Sequence, residues 1–254
     1  MDTWLVYGST VAAAMGTLAA YGGVYPRAQI FGPTICRTNS PFKLAITFDD
    51  GPNPAITPKL LDLLARYDAR ATFFVIGKFA RECPELVREV AARGHIVGNH
   101  TEDHPNLFFC SRRKIREELL HCSDVIANLL GAAPKWFRPP YGFKNPWVIP
   151  AAASFGMTTA MWTVIPGDWH APSSAWLIPR MQRIARRAEL YSPLRGKIER
   201  KAPGHILCLH DGDHRHLNGD RTSTLGALEY CLPRWRDLGL EFVTIEDAVS
   251  TPAK

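Results

Sequence analysis

Asp49 and Asp50 stand side by side at the end of a short apolar run, Ala45-Ile46-Thr47-Phe48, and Gly51-Pro52 follows at once. Adjacent carboxylates repel each other, and each needs a partner if buried. Such a pair is poor for stability but suited to proton transfer or metal binding, although the segment by itself reads equally well as a solvated Asp-Gly turn. A second cluster, Gly98 to Pro105, holds His100 and His104. Four residues apart on a helical turn, two imidazoles share a face and can serve one metal, with Asp50 as the third ligand and open positions left for water and substrate. A third cluster, Phe137 to Gly142, offers Arg138 to grip a carboxylate and the Tyr141 backbone N–H to an oxyanion. Gly167-Asp168-Trp169 is a fourth. Leu207 to Gly212 is the fifth, a strand-like run ending in His210, which suits a general acid near neutral pH. Any one of these has a plain structural reading as a turn, a rigid proline loop or a hydrogen-bonded histidine. Five together, each after a strand-like segment or a loop following one, are hard to explain as turns.

The elements that must position these groups alternate along the chain. Ala45 to Phe48, Ala71 to Ile76, His95 to Gly98, Trp136-Phe137, Thr158 to Val164, Ile206 to Leu209 and Glu241 to Ile245 read as strands. Pro58 to Tyr67 reads as a helix, Pro84 to Arg93 as one closed by Gly94, and Arg112 to Leu130 as one capped by Ser111 and stopped by Gly131. Alternating β and α units imply a mainly parallel sheet with helices outside it. Strand C-termini are where ligands sit in such folds.

With 254 residues the chain can form one α/β barrel. Its net charge of +6 favours anionic partners, but no nucleic-acid-binding module is present. The six cysteines include no CxxC pair, which argues against a cysteine zinc site. Trp4 to Tyr25 carries no charged residue and would span about 33 Å as a helix, enough for a bilayer core. The expectation is a single N-terminal membrane anchor with its connector over residues 1–40 and a catalytic domain over 41–254. Arg27, Arg37 and Lys43 after the span bias that domain towards the cytoplasm. Arg180 to Lys201 holds eight Lys/Arg against two Glu, with an apolar stripe of Ile178, Met181, Ile184, Ala185 and Ala188. An ordinary helix packed on the barrel is expected there, with membrane-surface contact as the rival. His214 and His216, in the loop after His210, are expected to be solvated.

The order TFDDGP, GNHTEDHPNL, RPPYG, GDW and LCLHD, from about Phe42 to Ala248, resembles the carbohydrate esterase family of polysaccharide deacetylases, which share the NodB homology domain. The resemblance implies a distorted (β/α) barrel and a metal-dependent hydrolase that removes N-acetyl groups from an amino-sugar glycan, such as peptidoglycan or a chitin-like oligosaccharide. It makes Asp49 the general base, Asp50, His100 and His104 the metal ligands, and Arg138 the residue that holds the base. It gives the Tyr141 N–H to the oxyanion, has Asp168 support His210 as the acid, and sets Trp169 and Leu209 as walls of the acetyl pocket. The ligand set favours zinc among divalent ions. Two rival readings are deacylation of a lipid-linked amino sugar at the membrane and a non-catalytic glycan-binding domain; binding alone needs no base, ligand set or acid. Two positions depart from the family pattern: Ile165, where an Asp is often found, and Cys208, where Leu is common.

Overall fold

The computed structural model describes residues 3–191 and 202–250. Its axis is β1 (Lys43–Gly51), buried from Leu44 to its end. This strand pairs in parallel with β2 (Thr72–Val75), β6 (His205–His210) and β7 (Glu241–Val243). From β2 the sheet continues through β3 (Ile96–Asn99), β4 (Trp136–Phe137) and β5 (Thr158–Thr159), giving the order β5-β4-β3-β2-β1-β6. Beyond β5 the chain runs on to Val164, which bridges to Leu207 on β6, while the Cys208 amide donates to the Val164 carbonyl at 2.9 Å. That return joins the two edges and curls the parallel sheet into the expected distorted (β/α) barrel.

Strand pleating sorts the side chains. Leu44, Ile46 and Phe48 of β1 and Leu207 and Leu209 of β6 point outward into the larger apolar cluster, where helices cover them. Ala45, Ile206 and Cys208 point inward with Phe74, Met161 and Trp162. The helices follow the sequence signals where those are strong. In α2 (Thr57–Ala65) all four leucines are buried. After α4 (Pro84–Ala92), Gly94 takes φ 80°. In α5 (Arg112–Leu130) the Ser111 hydroxyl accepts from the Lys114 amide, and Gly131 ends the helix at φ 75°. Four helices carry weaker signals and escape the pattern: α3 (Gly77–Glu82), α6 (Val148–Ser154), α8 (Thr222–Asp237) and α9 (Ile245–Val249). Three of them are short, and α8 holds Pro233 in its interior, a residue that argues against a helix locally.

The membrane anchor is not supported. The N-terminal helix α1 (Thr3–Val24) is long enough, but thirteen of its 22 residues are Ala, Gly, Ser or Thr. These dilute its apolarity, and no helix among the described residues is long and apolar enough to cross a membrane. Instead, the C-terminal end of α1 docks on the barrel. Lys144 donates its backbone amide to Gly23 O and its buried Nζ to Tyr25 O, each at 3.0 Å. A Cβ on Gly23 would overlap the Phe108 ring, so glycine permits the contact. The basic segment begins as an ordinary barrel helix: in α7 (Ser174–Tyr191), Met181, Ile184 and Ala188 are buried in the apolar cluster. Residues 192–201 of that segment lie outside the described residues.

Candidate catalytic site

Alternation along a strand should send Asp49 and Asp50 to opposite faces. The pairing of β1 with β2 slips between Asp49 and Gly51, and Asp50 takes φ 70°. Aspartate tolerates this left-handed conformation better than most side chains. The irregularity re-aims the second carboxylate, so both acids line one cavity of about 440 Å³ at the C-terminal ends of the strands.

His100 and His104 also line that cavity, but no helical turn presents them. They sit in a loop after β3 in which Thr101 and His104 adopt φ 69° and 60°. Side chains hold its shape: Asn99 Oδ1 accepts from the Thr101 amide at 2.8 Å, and Glu118 Oε2 accepts from the amides of Glu102 and Asp103. The Nε2 atoms of His100 and His104 lie 3.4 and 3.1 Å from Asp50 Oδ1. That oxygen is buried and has no hydrogen-bond partner. His100 donates Nδ1–H to the Arg138 carbonyl at 2.7 Å, which leaves its Nε2 lone pair facing Asp50. Acceptors thus converge on acceptors, an arrangement that suits a cation. Ligands about 2.0–2.2 Å from a tetrahedral metal lie about 3.3 Å apart, so the three donors fit a divalent ion.

Arg138 is completely buried. Nη1 donates to Asp49 Oδ1 at 2.7 Å and to Thr47 Oγ1 at 2.6 Å, Nε donates to Ala160 O, and Nη2 to Met161 O. The guanidinium lies over the Phe74 ring at 4.2 Å. With these partners it needs no acid at position 165, and Ile165 lines the cavity instead. Cys208 Sγ donates to the other oxygen of Asp49 at 3.3 Å. Across the cavity, Asp168 Oδ1 accepts from His210 Nδ1 at 2.9 Å, and its Oδ2 accepts from the His210 amide and from Thr224 Oγ1.

The two histidine environments diverge. Burial pushes His104 down to about 4 despite Asp50, so it is a neutral imidazole at neutral pH. Burial also opposes charge on His210, but the Asp168 carboxylate, with Asp50 and Asp49 beyond it, outweighs that and raises it to about 9. One histidine is therefore ready to ligate and the other carries a proton to give.

The structure brings most of the residues singled out in the sequence to one cavity and departs from the reading at two. Leu209 is not a pocket wall: the pleat that turns Cys208 and His210 inward turns Leu209 into the outer apolar cluster. His214 is not simply solvated. It is partly buried, lines the cavity, and stacks on His104 with centroids 4.5 Å apart. His216 is exposed, as expected. Trp169 flanks the mouth against His210 at 5.1 Å, and Tyr141 flanks it against His104 at 4.6 Å. Trp162, Thr47 and Thr224 went unread because isolated aromatic and hydroxyl residues carry no spacing signal.

The family model described as polysaccharide deacetylase matches residues 37–160. The chitooligosaccharide deacetylase of Sinorhizobium fredii is 36% identical over 200 residues, covering 76% of this chain and 86% of that protein. A peptidoglycan-N-acetylglucosamine deacetylase of Bacillus cereus is 35% identical over 204 residues, covering 80% and 86%. Among solved structures, a mutant of a family 4 carbohydrate esterase pseudoenzyme with restored enzymatic activity, its wild type from Bacillus anthracis, superposes with a TM-score of 0.71 at 27% identity. It covers 86% of this chain and 71% of that one. A pseudoenzyme on the same fold means that activity must be argued from the side chains present.

Proposed function

The chain belongs to the polysaccharide deacetylase family, and from that premise we propose that it is a metal-dependent hydrolase releasing acetate from the N-acetylated sugars of a glycan. Chitin-like oligosaccharide and peptidoglycan are the substrates acted on by its named relatives. What supports the reading is a division of labour in one cavity. Asp49 is tied to Arg138 rather than to the imidazoles, whereas Asp50 faces His100 and His104. Donor atoms of Asp49, Cys208 and His210 lie within 4.8 Å of one another, so base and acid flank one reacting centre.

Asp50, His100 and His104 would hold the ion, and the two neutral nitrogens with one carboxylate favour zinc. When bound, the ion supplies Lewis acidity to the acyl oxygen and makes a water easier to deprotonate. Asp49 accepts the proton of that water as its oxygen bonds to the acyl carbon. The Tyr141 backbone N–H donates to the oxygen of the tetrahedral adduct. His210 gives its proton to the sugar nitrogen as the C–N bond breaks, leaving acetate and a free amine. Arg138 fixes the orientation of the base, and Asp168 fixes the tautomer and charge of the acid. Trp169 and Tyr141 offer exposed ring faces to a sugar at the mouth. In this reading residues 41–254 are the catalytic unit.

Acetate release from a panel of chitin oligomers and peptidoglycan fragments, with protein loaded with zinc or cobalt, tests the proposal. Release from at least one polymer, lost in Asp49→Asn, is expected. No release from any of them would leave a glycan-binding domain.

A further inference from the structure

His214 lines the cavity but has no role in that scheme. Its Nδ1 lies 3.8 Å from Asp50 Oδ2, and donor atoms of Asp50, His104 and His214 all fall within 4.8 Å of one another. We propose that His214 is a further protein ligand of the divalent ion, through Nδ1, so that this chain binds its metal with three histidines and one aspartate. The proposal rests on the metal-dependent reading of the site.

The ring is wired as a ligand would be. Metal-bound histidines donate the other ring N–H to a fixed partner, which sets the tautomer. Nε2 of His214 lies 3.2 Å from the Tyr141 hydroxyl. When Nε2 donates there, the Nδ1 lone pair faces Asp50. His100 follows the same scheme with its nitrogens exchanged, Nδ1–H on the Arg138 carbonyl and Nε2 facing Asp50. Both orienting partners come from the same loop, Arg138 to Tyr141. His104, by contrast, has a buried Nδ1 with no partner, so His214 is the better oriented of the two.

The loop that carries His214 is built to stay in place. A Cβ on Gly212 would overlap the Asp50 carbonyl, so the glycine lets the chain pass directly against the aspartate. Two residues on, the His214 carbonyl accepts from Lys78 Nζ at 3.1 Å. Asp213 is fixed from both sides, by Arg221 at 3.3 Å and by the Arg215 amide at 2.9 Å. The 3.8 Å separation is wider than the 3.1 and 3.4 Å contacts of His104 and His100. It is made to Oδ2, the other oxygen of the carboxylate that faces His100 and His104 through Oδ1.

Cobalt(II) titration of the metal-free protein tests this, read by chelator competition for affinity and by visible ligand-field absorption for coordination. His214→Ala and His214→Gln are expected to weaken cobalt binding by about 10-fold or more and to shift or change the intensity of the visible band. His216→Ala, an exposed neighbour, should change neither. Thermal unfolding of the metal-free variants identifies any loss of fold. Wild-type affinity and an unchanged band in both His214 variants would overturn the proposal while leaving the family site intact. If His100→Ala also bound cobalt as tightly as wild type, the three-donor site itself would fail, and His214 with it.

Discussion

The carbonyl oxygen of Arg138 accepts a hydrogen bond from His100 Nδ1 at 2.7 Å. Through its side chain the same arginine holds Asp49 at 2.7 Å. One residue therefore orients His100, the proposed metal ligand, with its backbone and Asp49, the proposed base, with its guanidinium. The backbone contact survives any substitution at position 138, whereas the side-chain contact does not, so the two duties can be separated experimentally.

Arg138→Lys should keep metal and lose most turnover, because an ammonium cannot reproduce a fork that bonds Asp49, Thr47 and two carbonyls. Arg138→Ala strands the buried Asp49 charge and should cost about 3–5 kcal/mol of stability. Metal content, acetate release and thermal unfolding measured on the same preparations check both expectations. Full activity in the lysine variant would refute the orienting role.

Asp49→Asn should bind metal with wild-type affinity and release no measurable acetate, since the amide keeps the shape but cannot take a proton. Asp50→Asn should weaken metal binding strongly. Equal metal loss in the two variants would undo the division of roles between the neighbouring acids.

The acid should titrate late. With His210 raised to about 9, the proton-donating form persists through neutral pH, and kcat/KM should fall as pH rises through about 9. Asp168→Asn removes the charge that sustains this. The alkaline limb should then move down towards the ordinary histidine value of about 6.5. An unmoved limb would show that another group sets it.

Acid stability should depend on His95, which precedes β3 at the end of the strand away from the cavity and packs edge-on to Phe73. Its Nδ1 accepts from the Ala71 amide at 3.1 Å, and burial, with Arg93 and Arg70 nearby, lowers it to about 4. The folded value lies below the unfolded one, so the stabilisation is present above about pH 6.5 and is lost as pH falls through about 4. The slope from this one group is at most about 1.4 kcal/mol per pH unit. His95→Gln should flatten denaturant midpoints measured between pH 4 and 6.5, and an unchanged slope would exclude the mechanism.

The sequence by itself determined the alternation of strands and helices, the family, and most of the ionisable residues that gather at the C-terminal end of the sheet. Those properties are local: an apolar run, a cap such as Ser111, or a motif such as TFDDGP is written in consecutive residues. It misjudged α1, whose length suggested a span that its Ala and Gly content does not support. Only the tertiary structure decided which way side chains face. The slip at Asp50 turns two neighbouring acids into one cavity, and the pleat of β6 exchanges Leu209 for Cys208 at the wall. Contacts across long stretches of chain, Thr224 on Asp168 and His214 beside Asp50, arise from barrel closure and the packing of loops at its rim. No spacing in the sequence encodes them, because their partners lie 56 and 164 residues apart and meet only when the sheet curls.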